Sequence, residues 1–339
     1  MARQLLLALG GNVQLVSGLR SHLRDPHDID HASAIAQVAA SEVARISAEW
    51  QGGSVPAVWF CYHPYYKAPD LIGPELCARF GVAYVTAECS VSARRDIGLW
   101  ADAQARVRAG VALAAVNICL TRRDQAGLQD SCPGARTAML APFIDPSPFL
   151  RHDPLPEPGR LICVAMMRPG DKAESYAFLA AALQLLTDLP WRLSIIGDGE
   201  ARSEVQALFA PLADRITWLG AMTTESIAAH LAHASVYVWP GCGEAYGLAY
   251  LEAQSAGLPV VAQRIAGVPE VVKEGVGGLL TAPGDIAAYA HAIRQMLNDV
   301  DLRVTLARKA RGQVLRHHSV AAASATLATL LAPILESAS

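Results

Sequence analysis

Two carboxylates, Glu244 and Glu252, stand with seven residues between them in the stretch GEAYGLAYLEAQSAGLPVV, residues 243–261. A carboxylate on the inward edge of a helix, close to its N-terminus, can accept two hydroxyl hydrogen bonds while the helix dipole keeps it ionised. A ribose or a sugar diol offers that pair of hydroxyls. Free backbone N–H groups at Gly247 and Leu248 suit an anion such as a phosphate, and glycine at 247 lets the anion come close. The elements that must hold these groups are legible on either side. Residues 235–239 (SVYVW) read as a strand stopped by Pro240. After Gly247 the spacing of Leu248, Leu251 and Ser255 reads as one face of a helix, closed by Gly257 and Leu258-Pro259. The plainer alternative is a pair of solvated glutamates on an exposed helix face.

In this context the residues resemble the GT-B retaining glycosyltransferases, in particular glycosyltransferase family 4 (glycosyl transferases group 1). The resemblance rests on Glu244, Tyr246, Gly247 and Glu252, then Ala253, Gly257, Pro259 and Val260, then Gly267-Val268-Pro269-Glu270. Upstream, Ile196-Gly197-Asp198-Gly199 follows the strand-like WRLSI; downstream come Gly275, Gly278 and Pro283-Gly284-Asp285. It covers roughly residues 160–316 well and the N-terminal half poorly. It implies an α/β GT-B fold, two Rossmann-like domains with parallel sheets facing a central cleft. It also implies transfer of a hexosyl unit from a nucleotide-sugar donor, with retention of configuration and without a metal or other cofactor. Under the resemblance Glu252 takes the ribose hydroxyls, and Glu244 faces the sugar in an orienting and electrostatic role. The backbone of Tyr246, Gly247 and Leu248 lies on sugar and phosphate. Gly197 belongs to the turn closing the second strand of the donor domain, and Met222 to the loop where the base packs.

Negative charge develops on a departing diphosphate and must be neutralised. Arg168 and Lys172, in VAMMRPGDKAESY, are the natural cations: arginine can fork two phosphate oxygens and lysine adds a compact charge. The family more often has glycine before the arginine and one more residue between the two cations; here Met167 precedes Arg168. A pair of solvated surface cations is the alternative.

The chain of 339 residues is long enough for two domains with separate cores. Hydrophobic residues make up 52% and charged residues 17%, which excludes a disordered chain. A net charge of −3 argues against a general nucleic-acid binder. The 7 cysteines are scattered, with no CxxC pair, which suggests a reducing compartment and no structural zinc. Expected strands are residues 4–8, 57–61, 83–86, 114–120 and 137–140, then 161–166, 192–196, 216–219, 235–239 and 259–262, with helices between them. Residues 31–50, 69–80 and 101–112 read as helices of the first half. The proline-rich residues 142–160 cannot join either sheet, which divides the chain into an acceptor-side domain 1–145, a linker 146–160 and a nucleotide-sugar domain 161–318. Residues 319–339 are expected as a helix returning to the first domain, opened by Ser319 as N-cap. The start MARQLLLALGG reads as a first strand and not as a signal peptide, and no stretch is expected to be long and apolar enough to cross a bilayer.

In the first domain, WFCYHPYYKAPD places His63 and Lys67 just beyond the second expected strand, at the end where ligands of parallel sheets bind. His63 is a candidate catalytic residue that would hydrogen-bond the reacting sugar or the acceptor, and Lys67 would meet a phosphate; a satisfied histidine in a proline-bounded turn is the competing reading. Glu88, Arg20 with Gly18, and Gly10-Gly11 are weaker candidates of the same kind. Cys242 reads as a small buried filler, with a reactive thiol beside the donor loop as the alternative, and His317-His318 as a helix-end pair without metal partners. A GxGxxG fingerprint, a P-loop and a GxSxG elbow are absent. The expected partners are a UDP- or GDP-hexose donor and a carbohydrate, lipid-linked or small-molecule acceptor. The expected location is cytoplasmic, with peripheral contact at the inner face of the membrane as an open extension. Two alternatives remain: a nucleotide-sugar epimerase or hydrolase on the same fold, and an inactive sugar- or nucleotide-binding partner subunit.

Overall fold

The structure is a computed structural model that describes residues 1–11 and 13–337. The chain divides into two compact units: an N-terminal unit of Ala2–Leu140 with Ser324–Ser339, and a C-terminal unit of Ala141–Ala323 with Met1. The proline-rich residues 146–160 are counted with the C-terminal unit, and Phe149 among them is buried in its core.

In the N-terminal unit the strands are β1 (Val58–Tyr62), β2 (Ala83–Ala87), β3 (Val116–Cys119) and β4 (Thr137–Met139). They form a four-stranded parallel sheet in sequential order β1-β2-β3-β4. Helices Gly73–Phe80, Leu99–Leu113 and Arg122–Ser131 make the crossovers that parallel strands require. A long helix, Ile29–Gly52, precedes them, and the Asp28 carboxylate caps it by accepting the His31 N–H at 3.0 Å. Its Ile35, Ala39, Val43, Ile46 and Trp50 are buried, the spacing of one helical face.

In the C-terminal unit β5 (Arg160–Val164), β6 (Arg192–Ile196), β7 (Ile216–Gly220), β8 (Val236–Val238), β9 (Val260–Gln263) and β10 (Gly278–Thr281) form a parallel sheet ordered β10-β9-β8-β5-β6-β7. The strands are mostly unbroken apolar runs, as a sheet covered on both faces demands. After β7 the chain returns past β5 to place β8 on its other side. The order therefore reverses between β5 and β8, and the crevice at the carboxyl ends of such a pair is where doubly wound sheets bind ligands.

Two expectations are corrected, and one strand was not foreseen. Residues 4–8 are not a strand: Ala2–Leu9 is a helix with Leu5 and Ala8 buried. The segment ARQLLLAL consists of strong helix formers and holds no β-branched residue, so helix propensity outweighs the short apolar run. His63 therefore follows the first strand of its sheet, and Gly18 and Arg20 lie in an irregular stretch after a helix. Second, β10 was not foreseen, because GLLT is short and opens on glycine; a Cβ at Gly278 would fall 1.9 Å from the Val260 carbonyl oxygen. Third, one helix, Val320–Ser337, is by length and composition long and apolar enough to cross a membrane, with a mean hydropathy of 1.5. The Ala- and Leu-rich sequence holds a single acidic residue there, Glu336. Ser319 does cap it, accepting the Ala322 N–H at 3.2 Å.

Candidate functional site

The site is assembled at the carboxyl ends of β5, β6, β7 and β8 in the C-terminal unit. Beyond β8 the chain passes Trp239 and Pro240 into a loop whose Gly241, Gly243 and Gly247 all have positive φ, from 66° to 76°. The need is sharpest at Gly243, where a Cβ would lie 2.1 Å from Asp171 Oδ2. Gly247 then opens the helix Leu248–Ser255, as the spacing indicated. The loop is pinned from outside: the Ala245 carbonyl accepts the Gly267 N–H at 2.6 Å, and Ser175 Oγ accepts the Cys242 N–H at 2.9 Å.

The loop delivers the Glu244 carboxylate to Lys172, in the first turn of the helix Asp171–Gln184. Lys172 Nζ lies 2.5 Å from Glu244 Oε2, with 27% and 19% of the two side chains exposed. Trp239 adds a second hold, its indole N–H donating to the same oxygen at 3.5 Å, while the Lys172 ammonium stands 5.5 Å from the indole centroid. Lys172 is thus engaged with Glu244. Of the two expected cations, Arg168 is the one left open: it is exposed in the loop after β5 and, among the described residues, makes no ion pair.

Glu252 sits in the second turn of the helix Leu248–Ser255. Burial pushes its carboxyl above the ordinary range. The helix dipole acts within the first turn, and one turn further in desolvation disfavours the charged form. Hydroxyl donors from a bound diol would favour the charged form.

Tyr246 and Leu248 are half-buried against the core of the unit, and Met222 packs on the same core just after β7. Gly197 joins β6 to its loop, where a Cβ would lie 1.8 Å from the Ala165 carbonyl oxygen. Its N–H donates to Gly220 and the Met167 N–H donates to Asp198, which ties the loops after β5, β6 and β7 together. Gly197, Met222, Arg168, Lys172 and Glu244 are all placed at one sheet edge. His63 belongs to the N-terminal unit, where it is exposed at the end of β1 with φ of 59°. Cys242 is half-buried and its Sγ accepts from Gln263 Nε2 at 3.4 Å. His318 is structural: it is buried, with Nδ1 2.7 Å from the Pro142 carbonyl oxygen. Among the described residues no three His, Cys, Asp or Glu side chains converge on a metal position.

Two supports escaped the sequence reading. Trp239 was read only as the last residue of a strand. Gln263 is 2% exposed and bonds the Pro240 carbonyl, Cys242 Sγ and the Gly284 N–H. The signal for it was a lone amide closing the apolar run VVA.

Residues 158–299 match the family model of glycosyl transferases group 1. A D-inositol 3-phosphate glycosyltransferase of Acidothermus cellulolyticus is 33% identical over 198 residues, 55% of this chain and 44% of that one. An alpha-D-kanosaminyltransferase of Streptomyces kanamyceticus is 27% identical over 302 residues, 84% of this chain and 76% of that one. The chain spans 21% to 44% of the length of the first curated relatives it matches. Among solved structures, the sucrose-phosphate synthase of Thermosynechococcus elongatus superposes with a TM-score of 0.70 at 20% identity, covering 89% of this chain and 79% of that one. HepE of Anabaena, solved in complex with UDP and glucose, gives 0.63 at 18% identity, covering 86% and 81%. The fold is therefore GT-B, an α/β fold with two parallel sheets. By their names both sequence relatives are glycosyltransferases.

Proposed function

We propose that the protein transfers a hexosyl unit from a UDP- or GDP-sugar to an acceptor, with retention of configuration and without a metal ion. The observation that carries the reading is Glu244, fixed by Lys172 and Trp239 at the reversal of strand order, with Arg168 at the same sheet edge making no ion pair among the described residues. Glu252 accepts the ribose hydroxyls. The N–H groups of Gly247 and Leu248 and the Arg168 guanidinium take the diphosphate, where charge accumulates as the glycosidic bond breaks. Glu244 faces the sugar and stabilises positive charge at its ring while Lys172 keeps the carboxylate oriented. Gly197 and Met222 line the nucleoside side, Tyr246 the sugar side, and His63 serves the sugar or the acceptor. HepE, with UDP and glucose on the same fold, supports a nucleotide-sugar as donor.

The test is turnover of UDP-glucose, UDP-N-acetylglucosamine and GDP-mannose with a chelator present, following nucleotide release and the anomeric configuration of the product by NMR. Nucleotide release at undiminished rate and an α-linked product from an α-linked donor are expected. A strict metal requirement or an inverted product would overturn the mechanism.

A further inference from the structure

Strands of a parallel sheet covered on both faces are near-continuous apolar runs, and three neighbouring strands of the C-terminal sheet depart from that on one face. Side chains alternate along a strand. Arg160 of β5 pairs with Arg192 of β6, and Ser194 of β6 pairs with Thr217 of β7. Arg192 and Ser194 stand two apart on β6, so the four side chains issue from the same face. Arg160 and Arg192 are the first residues of their strands, at the amino end of the sheet, whereas Arg168 and Glu244 follow the carboxyl ends of β5 and β8.

Like charges side by side on adjacent strands repel. Arg160 has a partial answer in Glu157, to which its Nη1 donates at 2.7 Å. Arg192 has none: it is exposed, and its guanidinium makes no hydrogen bond or ion pair among the described residues. These polar groups line one open pocket of about 480 Å³, together with an apolar wall of Pro158, Pro190 and Leu219. Small-molecule sites are of that size and of that mixed character. Ser194 is 8% exposed and lines the pocket, yet its hydroxyl has no hydrogen-bond partner among the described residues. A hydroxyl so far withdrawn from water costs free energy while unpaired, and an oxygen atom entering the pocket would satisfy it.

The rim is held firmly. Gly159 has φ of 73°, and a Cβ there would fall 2.4 Å from the Pro190 carbonyl oxygen. The Gly159 carbonyl accepts the Arg192 N–H at 2.9 Å, and the Glu157 N–H donates to the His233 carbonyl at 3.0 Å. The loop before β5 is thereby tied to β6 on one side and to the helix Thr224–His233 on the other.

We propose that this pocket binds a small phosphate monoester, with the Arg160 and Arg192 guanidinium groups on the phosphate, the Ser194 and Thr217 hydroxyls donating to its oxygens, and the carbon skeleton against Pro158, Pro190 and Leu219. Paired guanidinium groups suit the several oxygens and double charge of a phosphate. A neutral ligand would leave Arg192 unanswered, and inorganic phosphate would leave the apolar wall uncovered. The pocket takes its ester whether or not the opposite end of the sheet binds a nucleotide-sugar.

The test is calorimetric titration of the full chain with glycerol 3-phosphate, glucose 6-phosphate, their neutral parents glycerol and glucose, and inorganic phosphate, at physiological salt, where attraction between exposed charges is largely screened. At least one ester is expected to bind about tenfold more tightly than its neutral parent, and more tightly than inorganic phosphate. Arg192→Met should weaken that ester about tenfold, Arg192→Lys by less, because the charge stays and the fork is lost, and Ser194→Ala about threefold. Arg168→Met, at the other end of the sheet, should leave ester binding unchanged. Arg192 is exposed and its guanidinium has no protein partner, so its variants are expected to match the parent in circular dichroism. Failure of both esters to bind the folded protein, an ester no tighter than its neutral parent or inorganic phosphate, or binding untouched by Arg192→Met would overturn the site. Loss of ester binding in Arg168→Met would place the ester at the carboxyl-end edge instead and would overturn it as well.

Discussion

At the scale of the residue, the Lys172–Glu244 pair decides how the proposed donor site is charged. A fully buried pair broken on one side costs about 3–5 kcal/mol, and an exposed one about 0–1. With 27% and 19% of the side chains exposed, Lys172→Met should cost about 1–2 kcal/mol in urea unfolding. The same change should reduce turnover at least tenfold, because the freed carboxylate loses its orientation; full activity in this variant would show that Lys172 does not position Glu244. Glu252 yields a pH prediction. Its carboxyl is raised by burial, so between the ordinary carboxylate value and the raised one the native state binds more protons than the unfolded chain. Stability therefore falls as pH rises through that window. Glu252→Gln should be more stable than the parent at neutral pH, with the difference vanishing below the ordinary glutamate range. Thermal melts across that range check the sign, and a stabilising effect that persists unchanged at acid pH would mean that charge is not its cause.

At the scale of the element, the loop 241–247 behaves as a rigid bracket between β8 and the helix Leu248–Ser255. Gly243→Ala would meet Asp171 in a left-handed backbone position. It should cost about 1–3 kcal/mol and lower turnover far more than Gly284→Ala, which also has positive φ but open space around it. Helix ends bear on stability as well. His318 closes the helix Val300–His317, and burial pulls its pKa below the ordinary histidine range. The unfolded chain then takes the proton first, and stability is lost as pH falls from about 6.5. His318→Asn should remove that acid-side loss, which melts between pH 7 and pH 5 would show. The strand end, glycine loop and helix that carry both glutamates were legible because they are contiguous, lying within residues 235–261. Partnerships across the fold were not. Lys172 and Glu244 are 72 residues apart and Tyr62 and Glu88 26 apart. Nothing local marks them until parallel pairing sets the strand ends side by side. Strand 4–8 failed for the opposite reason, since a short apolar run carries a period too brief to separate helix from strand.

At the scale of the whole molecule, the alternation of apolar runs and helical stretches sufficed to foresee two parallel sheets, and GT-B solved structures share that fold. The reversal of strand order in the C-terminal sheet lies outside any sequence pattern, and it explains why Arg168 after β5 and Glu244 after β8 occupy one edge. If this edge is a donor site, nucleotide-sugars must bind the native chain and stabilise it by mass action, by about 2.7 kcal/mol at a hundredfold excess over Kd. The most direct measurement is thermal unfolding with uridine, guanosine and adenosine diphosphate sugars in the presence of a chelator, with Glu252→Ala alongside. A shift of several degrees confined to one nucleotide, surviving the chelator and lost in the variant, is the expected result. No shift with any of them in a folded protein, or a shift undiminished in Glu252→Ala, would contradict the donor site.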